Sequence, residues 1–460
     1  MISDLLAFLV TFIRHRWGYR FKSRQELLEY QTRRIARHRR HSSRTAFYGS
    51  RRNLPFEDLP IVAKRDVLAS FEEFNVYGIP LEAARAHAVE AERSRDFVPT
   101  LRRGISVGLS SGTSGQPSLF LVSRRERMLW AGAVLGRMLS PDSLRRVINP
   151  FTPPLRIAFF LRANNNLYTS LNSVRVRFVF FDLAKSLDSH LESLSALRPD
   201  ILVAPASVLA HLAERQRMGT VRVSPHQIIS VAERLEADDA RDISLVWQTT
   251  VQQIYQCTEG FLGHTCGHGS VHLNEECVYF EPQWQDGSKR RFTAVLTDFQ
   301  RRTQMFVRYE MDDVLLLHPE PCGCGRVTLR LESIEGRQDE ILWLPRLGSN
   351  ALAPVFPDQV RRALMLGAPA CGDYRLEQHG LRLRLAVRDQ GVHPDTCVRI
   401  ERALRQLWET LEVRAPFVCR TAWTTPPQSE KRRRIRCLTR PSLNRESPPD
   451  ERRPLIAGSQ

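Results

Sequence analysis

The chain has 460 residues, of which 42% are hydrophobic and 25% are charged. This composition is that of a globular protein long enough for two or three domains. The formal net charge is +17, which favours an acidic or phosphorylated ligand. Nucleic acid is excluded as a partner, because no recognised nucleic-acid-binding module appears and the basic residues are dispersed rather than clustered on one helix.

The N-terminal stretch from Met1 to Ile13 is apolar but short, and Arg14 follows it. It has no positively charged segment before the apolar run and no small-residue cleavage site, so a secretory signal is not expected. It is also too short to span a bilayer, so we expect a helix packed on the body of the protein rather than a peripheral membrane contact. Nine cysteines, an odd number without a signal peptide, indicate a reducing compartment, and we expect the cytoplasm.

The pattern of the chain beyond this stretch predicts helices first and then an alternation of strands and helices. An arginine-rich helix covers 23–47 and a second helical run covers 64–75. Predicted strands at 105–109, 118–122, 156–161, 176–181 and 201–204 alternate with helices at 124–139 and 186–197. Such alternation predicts an α/β fold with mainly parallel sheets. Past residue 290 the pattern turns to shorter strand-like runs at 292–296, 305–309 and 314–317.

A change of composition from Gly336 to Glu340 marks a domain boundary. About a hundred residues beyond it predict a small α+β unit. Its elements are helices at 357–366 and 396–411 and strands at 373–377, 381–387 and 416–423. We therefore expect a large N-terminal domain at 1–337, with a helical segment at 1–75, joined by a hinge to a small C-terminal domain at 338–440. Residues 441–460 are rich in Pro, Arg, Ser and Glu and predict a disordered tail.

One loop is unusually rich in hydroxyl groups and glycine. It consists of Ser110, Ser111, Gly112, Thr113, Ser114 and Gly115, followed by Gln116 and Pro117. Glycines let the backbone approach a ligand closely, and hydroxyl and N–H groups can all point at one anion, so the loop suits a polyphosphate. It is not a Walker A motif, because no Gly-Lys-Ser/Thr follows at the required spacing. On composition alone a flexible surface loop is an equal alternative.

Three further motifs follow this loop in order. They are Tyr255 to Gly260 with its Thr258-Glu259 pair, Leu296-Thr297-Asp298 with Val307 to Val314, and Gly336 to Glu340. Residues 20–440 resemble the adenylate-forming superfamily, which includes acyl- and aryl-CoA ligases, firefly luciferase and peptide-synthetase adenylation domains. The resemblance rests on these motifs together with Phe47-Tyr48, Asp58-Leu59-Pro60, Lys64 and Ala232-Glu233. Within it, the chain looks most like the phenylacetate–CoA ligase branch and its deazaflavin-coenzyme synthetase-like relatives.

The resemblance implies a role for each matched residue. The loop from Ser110 to Gly115 would bind the β- and γ-phosphates of ATP, and Glu259 would hold Mg²⁺, which prefers carboxylate and phosphate oxygens. Thr258 would lie near the α-phosphate and Tyr255 beside the adenine. Asp313 would accept hydrogen bonds from both ribose hydroxyls, since its two oxygens fit a vicinal diol. The remaining implied nucleotide-site residues are Ala232, Glu233 and Arg337, with Arg337 adding a cation near ribose and phosphate.

Lys431 is the implied catalytic lysine of the small domain. Its charge would stabilise the pentavalent phosphorus transition state during adenylation. Asp339 would lie at the hinge between the domains. The alternative for Lys431 is a solvated basic run, because Arg432, Arg433 and Arg434 follow it.

A second group of residues is typical of a metal site. Cys266, His268 and His272 lie close together in the sequence, and Cys322 and Cys324 follow fifty residues later. Thiolates and imidazoles at such spacing suit tetrahedral Zn²⁺, and related ligases carry a structural zinc in this region. We therefore expect Cys266, His272, Cys322 and Cys324 as ligands, with His268 as the alternate. Two unrelated turns with reduced cysteines are the other interpretation, and Cys257 is expected to be a small pocket residue.

The chain departs from the family pattern at three positions. Gln116 replaces the usual loop lysine, which removes one phosphate contact, although backbone N–H groups still supply most of the donors. Asp312 replaces the glycine before the ribose-binding aspartate, and Glu430 replaces the glycine before the catalytic lysine. None of these changes removes a charge that the chemistry requires.

The leading hypothesis is a ligase that activates a carboxylic acid, aryl by expectation, with ATP and Mg²⁺ to an acyl-adenylate. The acyl group would then pass to the thiol of coenzyme A or of phosphopantetheine on an acyl carrier protein. The acid pocket is expected from 130–136, 204–209 and 230–234. Two alternatives remain: adenylyl transfer to a hydroxyl of a coenzyme-like acceptor, and a non-catalytic nucleotide-binding protein.

Overall fold

The computed structural model describes most of the chain. The described residues are 2–94, 96–109, 119–161, 173–183, 185, 187–349, 351–357, 359–360, 363–364, 373–388, 395–424 and 433–441. They divide into two compact units, one ending at Gly336 and the other beginning at Arg337. The predicted tail at 441–460 lies outside the described residues except for Pro441.

The predicted helices of the first unit are present, but 64–75 divides into helix Lys64–Ala69 and turn Phe71–Phe74, and 186–197 divides into turn Leu187–His190 and helix Leu191–Leu197. The arginine-rich run 23–47 forms two helices, Arg24–Ser42 and Ala46–Gly49, because Thr45 caps a new helix by accepting a hydrogen bond from the Tyr48 N–H. The helices of the described chain are Ile2–Ile13, Arg24–Ser42, Ala46–Gly49, Lys64–Ala69, Leu81–Ser94, Arg124–Met138, Pro141–Ile148, Leu191–Leu197, Ala206–Arg217, Ala237–Trp247 and Thr396–Thr410. Shorter turns of 3₁₀ or π type cover Arg14–Gly18, Phe71–Phe74, Arg102–Gly104, Leu187–His190 and Gln338–Glu340. No helix in the described parts of the chain combines the length and the apolar character needed to cross a membrane.

The strands confirm the α/β prediction. Up to Arg337 they are β1 Ile105–Leu109, β2 Leu119–Ser123, β3 Leu155–Leu161, β4 Val176–Asp182, β5 Ile201–Ala204, β6 Gln227–Ser230, β7 Val251–Cys257, β8 Gly260–Thr265, β9 Val271–Leu273, β10 Val278–Trp284, β11 Arg291–Asp298, β12 Tyr309–Leu317 and β13 Arg330–Arg337. Among the described residues, eleven of them form one sheet in the order β10-β11-β12-β13-β9-β8-β7-β6-β5-β3-β4.

This sheet changes character at β7. On one side β4, β3, β5, β6 and β7 pair in parallel, and on the other side β7 pairs antiparallel with β8. The pairs β8–β9, β9–β13, β11–β12 and β10–β11 are also antiparallel. Strands β5 and β6 are buried along their whole length, as expected of parallel strands covered on both faces.

The strand predicted at 305–309 is wrong, since β12 begins only at Tyr309. The reason lies in Arg308, which has a φ of +49° and cannot continue an extended strand. Its N–H donates to the Thr297 hydroxyl at 2.9 Å, and its guanidinium pairs with Glu281 at 2.9 Å. The chain therefore turns at Arg308 before it enters the sheet.

The described residues of the first unit form three buried apolar clusters. One joins the antiparallel strands to the N-terminal helical segment through Tyr48, Phe71 and Phe74. A second lies between the parallel strands and helices Leu191–Leu197, Ala206–Arg217 and Ala237–Trp247. A third lies on the opposite face of the same strands, under helix Arg124–Met138. The parallel strands thus have helices on both faces, the arrangement that leaves their carboxyl ends open.

The second unit is a small α+β arrangement. A two-stranded ladder pairs β14 Leu342–Pro345 with β15 Leu352–Val355. Within the described residues a four-stranded sheet has the order β18 Phe417–Thr421, β17 Arg382–Val387, β16 Tyr374–His379 and β19 Ile435–Thr439. Helix Thr396–Thr410 packs Ile400, Leu404 and Trp408 on this sheet. The described residues of the predicted helix 357–366 are helical.

Candidate functional site

The predicted phosphate loop, Ser110 to Pro117, lies outside the described residues, but the strands before and after it, β1 and β2, are described. Strands β1 and β2 pair antiparallel, with Leu109 directly opposite Leu119. The intervening residues therefore connect two neighbouring strand ends. A loop tethered at both ends by a sheet ladder has less conformational freedom to lose when it binds a ligand.

Glu126 connects the strand after the loop to a second segment of the site. Its carboxylate accepts hydrogen bonds from the Ser123 N–H at 2.8 Å and the Ser123 hydroxyl at 2.6 Å, which completes a capping box at the start of helix Arg124–Met138. It also accepts from the N–H groups of Arg302 at 2.6 Å and Thr303 at 3.0 Å. One buried carboxylate thus joins the end of β2 to the segment that follows β11.

Thr258 and Glu259 form the two-residue turn between β7 and β8, where Cys257 pairs with Gly260. This turn lies at the carboxyl end of the last parallel strand, which is where open α/β sheets place their ligands. Gly260 allows the turn to lie close to β11, because a Cβ at this position would be 2.4 Å from Asp298 Oδ2. A β-bulge between Tyr255 and Gln256 bends the hairpin next to the turn.

The Glu259 carboxyl group is buried, and burial raises its pKa. Hydrogen bonds from the side chains of Thr258 and Tyr309 oppose this rise, while the nearby charge of Asp313 adds to it. A carboxylate held in this way is stabilised by a cation, and Mg²⁺ prefers oxygen ligands of this kind. The donor chemistry at Glu259 therefore fits a magnesium ion bound together with phosphate oxygens.

Asp313 faces the same group of side chains from β12. Its Oδ2 atom accepts a hydrogen bond from the Tyr255 hydroxyl at 2.8 Å and lies 3.5 Å from Cys257 Sγ. Tyr255 is buried, and burial together with the charge of Asp313 raises the pKa of its phenol, so it stays a donor. Tyr255 therefore orients one oxygen of Asp313. Cys257 is half-buried in this site.

Arg301 holds the Thr258–Glu259 turn from behind. Its guanidinium donates to the carbonyl oxygen of Glu259 at 3.3 Å and to that of Thr258, and it approaches the Leu121 carbonyl oxygen of β2 at 3.5 Å. The aromatic rings of Phe120 and Phe306 flank it, with centroids 5.4 and 5.3 Å from Cζ. This buried cation thus connects the turn to the strand that follows the loop.

Ala232 and Glu233 follow the carboxyl end of the neighbouring strand β6. Ala232 has a φ of +64°, a left-handed conformation that is strained for a residue with a Cβ. The Glu233 carboxylate accepts a hydrogen bond from the Ser207 N–H at 3.0 Å, at the start of helix Ala206–Arg217. The Val231 N–H also donates to the Ala204 carbonyl oxygen at 3.1 Å. The predicted pocket segments 204–209 and 230–234 are therefore neighbours.

The later motifs are described only in part. Arg337 is the last residue of β13, and its side chain is outside the described atoms. Asp339 lies within the turn Gln338–Glu340 of the second unit and accepts a hydrogen bond from Arg433 at 2.7 Å. Lys431 and Glu430 lie outside the described residues.

Cys266, His272, Cys322 and Cys324 come together as predicted, and their ligand atoms all lie within 4.8 Å of one another. The Sγ atoms of Cys266 and Cys322 are 3.8 Å apart, and Cys324 Sγ is 3.4 Å from His272 Nε2. A tetrahedral zinc with bonds of about 2.3 Å to sulfur and about 2.0 Å to nitrogen requires about 3.8 Å between two sulfurs and about 3.5 Å between sulfur and nitrogen. The observed separations therefore fit a zinc ion.

The surroundings of His272 also suit a metal ligand. Its Nδ1 atom lies 3.2 Å from both the carbonyl oxygen and the hydroxyl of Thr328, so Nδ1–H donates and Nε2 is left to face the thiols. Burial lowers the pKa of His272 to about 4, which keeps the ring neutral. His268, the alternate ligand, lies outside this group, against the position where Gly323 would carry a Cβ. Among the described cysteines none forms a disulfide.

Three side chains of the site were missed by the sequence reasoning. Glu126 has a readable signal, because Ser123 and Glu126 have the spacing of a capping box. Tyr309, which hydrogen-bonds Glu259, lies within the Val307 to Val314 motif, although no role was predicted for it, and Arg301 has no such signal. Their contacts join residues about 40 to 50 positions apart in the chain and follow from the sheet order.

Comparison with solved structures shows that the chain has the fold of adenylate-forming ligases. A crystal structure of 2-hydroxyisobutyryl-CoA ligase in the postadenylation state with R3-HIB-AMP is 17% identical, with a TM-score of 0.57 over 89% of this chain and 88% of that chain. The same ligase with 2-HIB-AMP is 17% identical, with a TM-score of 0.55 over 95% and 89%. A fatty acyl-adenylate ligase from work on E. coli and L. pneumophila enzymes is 11% identical, with a TM-score of 0.50 over 71% and 67%. No protein-family model and no curated protein matches the chain.

Proposed function

We propose that the protein activates a carboxylic acid with ATP to an acyl-adenylate and then transfers the acyl group to the thiol of coenzyme A or of a carrier-protein phosphopantetheine. The observation that carries this proposal is the convergence of Glu259 and Asp313, two carboxylates with separate hydrogen-bond partners, at the carboxyl edge of the parallel strands. The solved ligases of the same fold include one described with 2-HIB-AMP and CoA, which supports the thiol as acceptor.

In this proposal the chain's residues bind and orient the nucleotide. Glu259 holds Mg²⁺, which neutralises phosphate charge, and the loop from Ser110 to Gly115 donates to the β- and γ-phosphates. Asp313, oriented by Tyr255, accepts from the ribose hydroxyls. Tyr255 also lies beside the adenine, and Thr258 lies near the α-phosphate.

The remaining predicted roles belong to the same proposal. Lys431 stabilises the charge that develops on the α-phosphate, Arg337 adds a cation near ribose and phosphate, and Asp339 serves as the hinge. The acid, which we expect to be aryl, binds along 130–136, 204–209 and 230–234. In the described helix Arg124–Met138, Ala133 and Val134 contact the same apolar cluster as Val203 and Ile229, which supports a shared wall.

We also propose a structural zinc ion held by Cys266, His272, Cys322 and Cys324. Four protein ligands leave no open coordination position, so the metal would stabilise the turns at Cys266–Ser270 and Cys322–Gly325. Hydrogen bonds within these turns, such as Cys266 N–H to the Ser270 carbonyl oxygen at 2.8 Å, already set the thiols toward one point.

The test of the catalytic proposal is acid-dependent exchange of pyrophosphate into ATP, measured against a panel of aryl and alkyl acids. We expect exchange with at least one acid, and a loss of about a hundredfold or more in Glu259→Gln. Glu310→Gln is the matched control, since Glu310 is an exposed carboxylate of β12, the strand that carries Asp313. Transfer of AMP to a hydroxylated acceptor, with no exchange for any acid, would replace the ligase with an adenylyltransferase. Nucleotide binding without either activity would indicate a non-catalytic binding protein.

The zinc proposal is tested separately by elemental analysis of the purified chain. We expect about one zinc per chain, lost in Cys322→Ser together with a lower melting temperature. Cys419→Ser is the control, because Cys419 is exposed and belongs to β18. Zinc-free protein with an unchanged melting temperature would contradict the assignment.

A further inference from the structure

The N-terminal helix Ile2–Ile13 is fixed to the body by backbone contact with helix Arg124–Met138. A Cβ at Gly132 would lie 2.6 Å from the Phe8 carbonyl oxygen, and one at Gly136 would lie 2.8 Å from the Phe12 carbonyl oxygen. The two glycines, four residues apart, thus form a strip on which the first helix lies closely. The helix therefore has one fixed inner face and one fixed outer face.

The outer face of this helix is apolar. Large side chains are exposed at Leu5 (59%), Leu6 (59%), Leu9 (44%), Ile13 (52%) and, in the following turn, Trp17 (48%). At 3.6 residues per turn, Leu5, Leu6, Leu9 and Ile13 lie within an arc of about 100°. They form one continuous stripe, which we call the N-terminal stripe. A fixed stripe of this kind marks an interaction surface rather than scattered exposure.

Several of the exposed residues that follow the N-terminal stripe in the chain are basic, and with Arg125 of the supporting helix we call them its border. Arg14, Arg20 and Lys22 follow the helix and are exposed, and Arg125 is exposed at the start of the supporting helix. The acidic side chain of the helix, Asp4, is paired with Arg124 at 3.2 Å. An apolar stripe with a cationic border is complementary to a surface in which a layer of negative charge covers a layer of hydrocarbon.

We propose that the N-terminal stripe docks the protein on an anionic lipid surface, with the helix lying along the interface. Apolar side chains would enter the boundary of the acyl chains, while the arginines and the lysine contact acidic headgroups. Trp17, an amphipathic ring at the end of the stripe, suits the headgroup level. The charges disfavour a second copy of the chain as the occupant, since pairing two stripes would bring basic borders together.

The test is co-sedimentation of the full chain with vesicles of phosphatidylcholine, with or without phosphatidylglycerol. We expect binding to the mixed vesicles, weaker binding to phosphatidylcholine alone, and a decrease as salt is raised. The double variant Leu6→Glu/Leu9→Glu should bind the mixed vesicles at least about tenfold more weakly, equivalent to about 1.4 kcal/mol. Phe151→Glu is the matched control, because Phe151 is 94% exposed in the turn after helix Pro141–Ile148 and is not part of the N-terminal stripe, and it should bind like the parent chain.

A second variant separates the loss of lipid binding from any disturbance of the helix by the two glutamates. Arg14→Gln/Arg20→Gln leaves the apolar side chains intact and should reduce binding to mixed vesicles while leaving binding to phosphatidylcholine alone unchanged. Brominated lipid should quench the fluorescence of Trp17, and this quenching should be absent in Trp17→Phe. The measurement tests directly whether the stripe contacts the lipid. The proposal is overturned if the parent chain binds neither kind of vesicle, or if all variants bind the mixed vesicles as strongly as the parent chain. A dimer that Leu6→Glu/Leu9→Glu dissociates, without lipid binding, would assign the stripe to self-association.

Discussion

Replacing Arg301 by methionine tests whether the Thr258–Glu259 turn and strand β2 are held by one side chain. Methionine keeps an unbranched apolar side chain and removes the guanidinium, whose Cζ lies 5.4 Å and 5.3 Å from the ring centroids of Phe120 and Phe306. The carbonyl oxygens of Thr258 and Glu259 then lose their donor. The change therefore removes the hydrogen bonds and the cation–π contacts while an apolar side chain still occupies the space.

The expected loss of stability follows from these two bonds. A hydrogen bond from a charged donor contributes about 1.5 to 3 kcal/mol, so the pair contributes about 3 to 6 kcal/mol. This is a large share of the 5 to 15 kcal/mol by which a native domain is typically stable. Because the freed turn carries Glu259, we also expect the dissociation constant for Mg²⁺–ATP to rise by about tenfold or more.

Urea unfolding and calorimetric titration with Mg²⁺–ATP measure the two effects. Arg175→Met is the matched control, because Arg175 also donates to several carbonyl oxygens, among them Val147 at 3.2 Å and Thr152 at 2.8 Å. The control should lose stability to a similar extent and keep its nucleotide affinity. The reasoning is refuted if Arg301→Met is folded and binds Mg²⁺–ATP as tightly as the parent chain.

Three further predictions concern neighbouring residues. Burial raises the pKa of Asp298 to about 6, above its value of about 4 in the unfolded chain. Because the folded chain then holds a proton that the unfolded chain loses, the free energy of unfolding should fall as pH rises from 4 to 6, by up to about 1.4 kcal/mol per pH unit. Asp298→Asn should flatten this slope in urea unfolding, and an unchanged slope would mean that another group is responsible. Gly260→Ala should lower the free energy of unfolding by about 1 to 3 kcal/mol, since its Cβ would lie 2.4 Å from Asp298 Oδ2. Gly287→Ala is the control: a Cβ there would have nothing within 4 Å, so stability should change by less than about 0.5 kcal/mol. Equal melting temperatures for the two alanine variants would contradict the close contact. Tyr255→Phe removes the donor to Asp313 and should weaken nucleotide binding by about tenfold, and an unchanged affinity in calorimetry would show that Asp313 needs no such support.

Much of the fold could be predicted from the sequence because buried parallel strands have a clear pattern. The runs 105–109 and 201–204 coincide with β1 and β5, and helix 124–139 ends one residue early at Met138. The strand predicted at 305–309 failed because hydrophobicity does not encode the left-handed φ of Arg308. That conformation depends on Thr297 and Glu281, which are distant in the chain.

The site could be predicted where chemistry is carried by residue type. The four metal-type ligands converge although 56 residues separate Cys266 from Cys322. The positioning role of Arg301 could not be predicted, since nothing in its sequence surroundings separates it from the other arginines. Which face of helix Ile2–Ile13 is exposed could not be predicted for a different reason. Phe8 and Phe12 on its inner side make both faces apolar, so the pattern does not say which face is covered.

The change from parallel to antiparallel pairing at β7 has a consequence for the order of folding. Strands β10, β11 and β12 pair across connections of 6 and 10 residues, whereas β5, β6 and β7 pair across connections of about 20 residues. Short loops close at lower entropic cost and sooner, so the antiparallel side is expected to form first and serve as a template for the parallel side. Pulse-labelled hydrogen exchange during refolding should protect amides in 278–317 before those in 201–230. Simultaneous protection would mean that the sheet forms in one step, with the Thr258–Glu259 turn assembled at the same moment as the strands it joins.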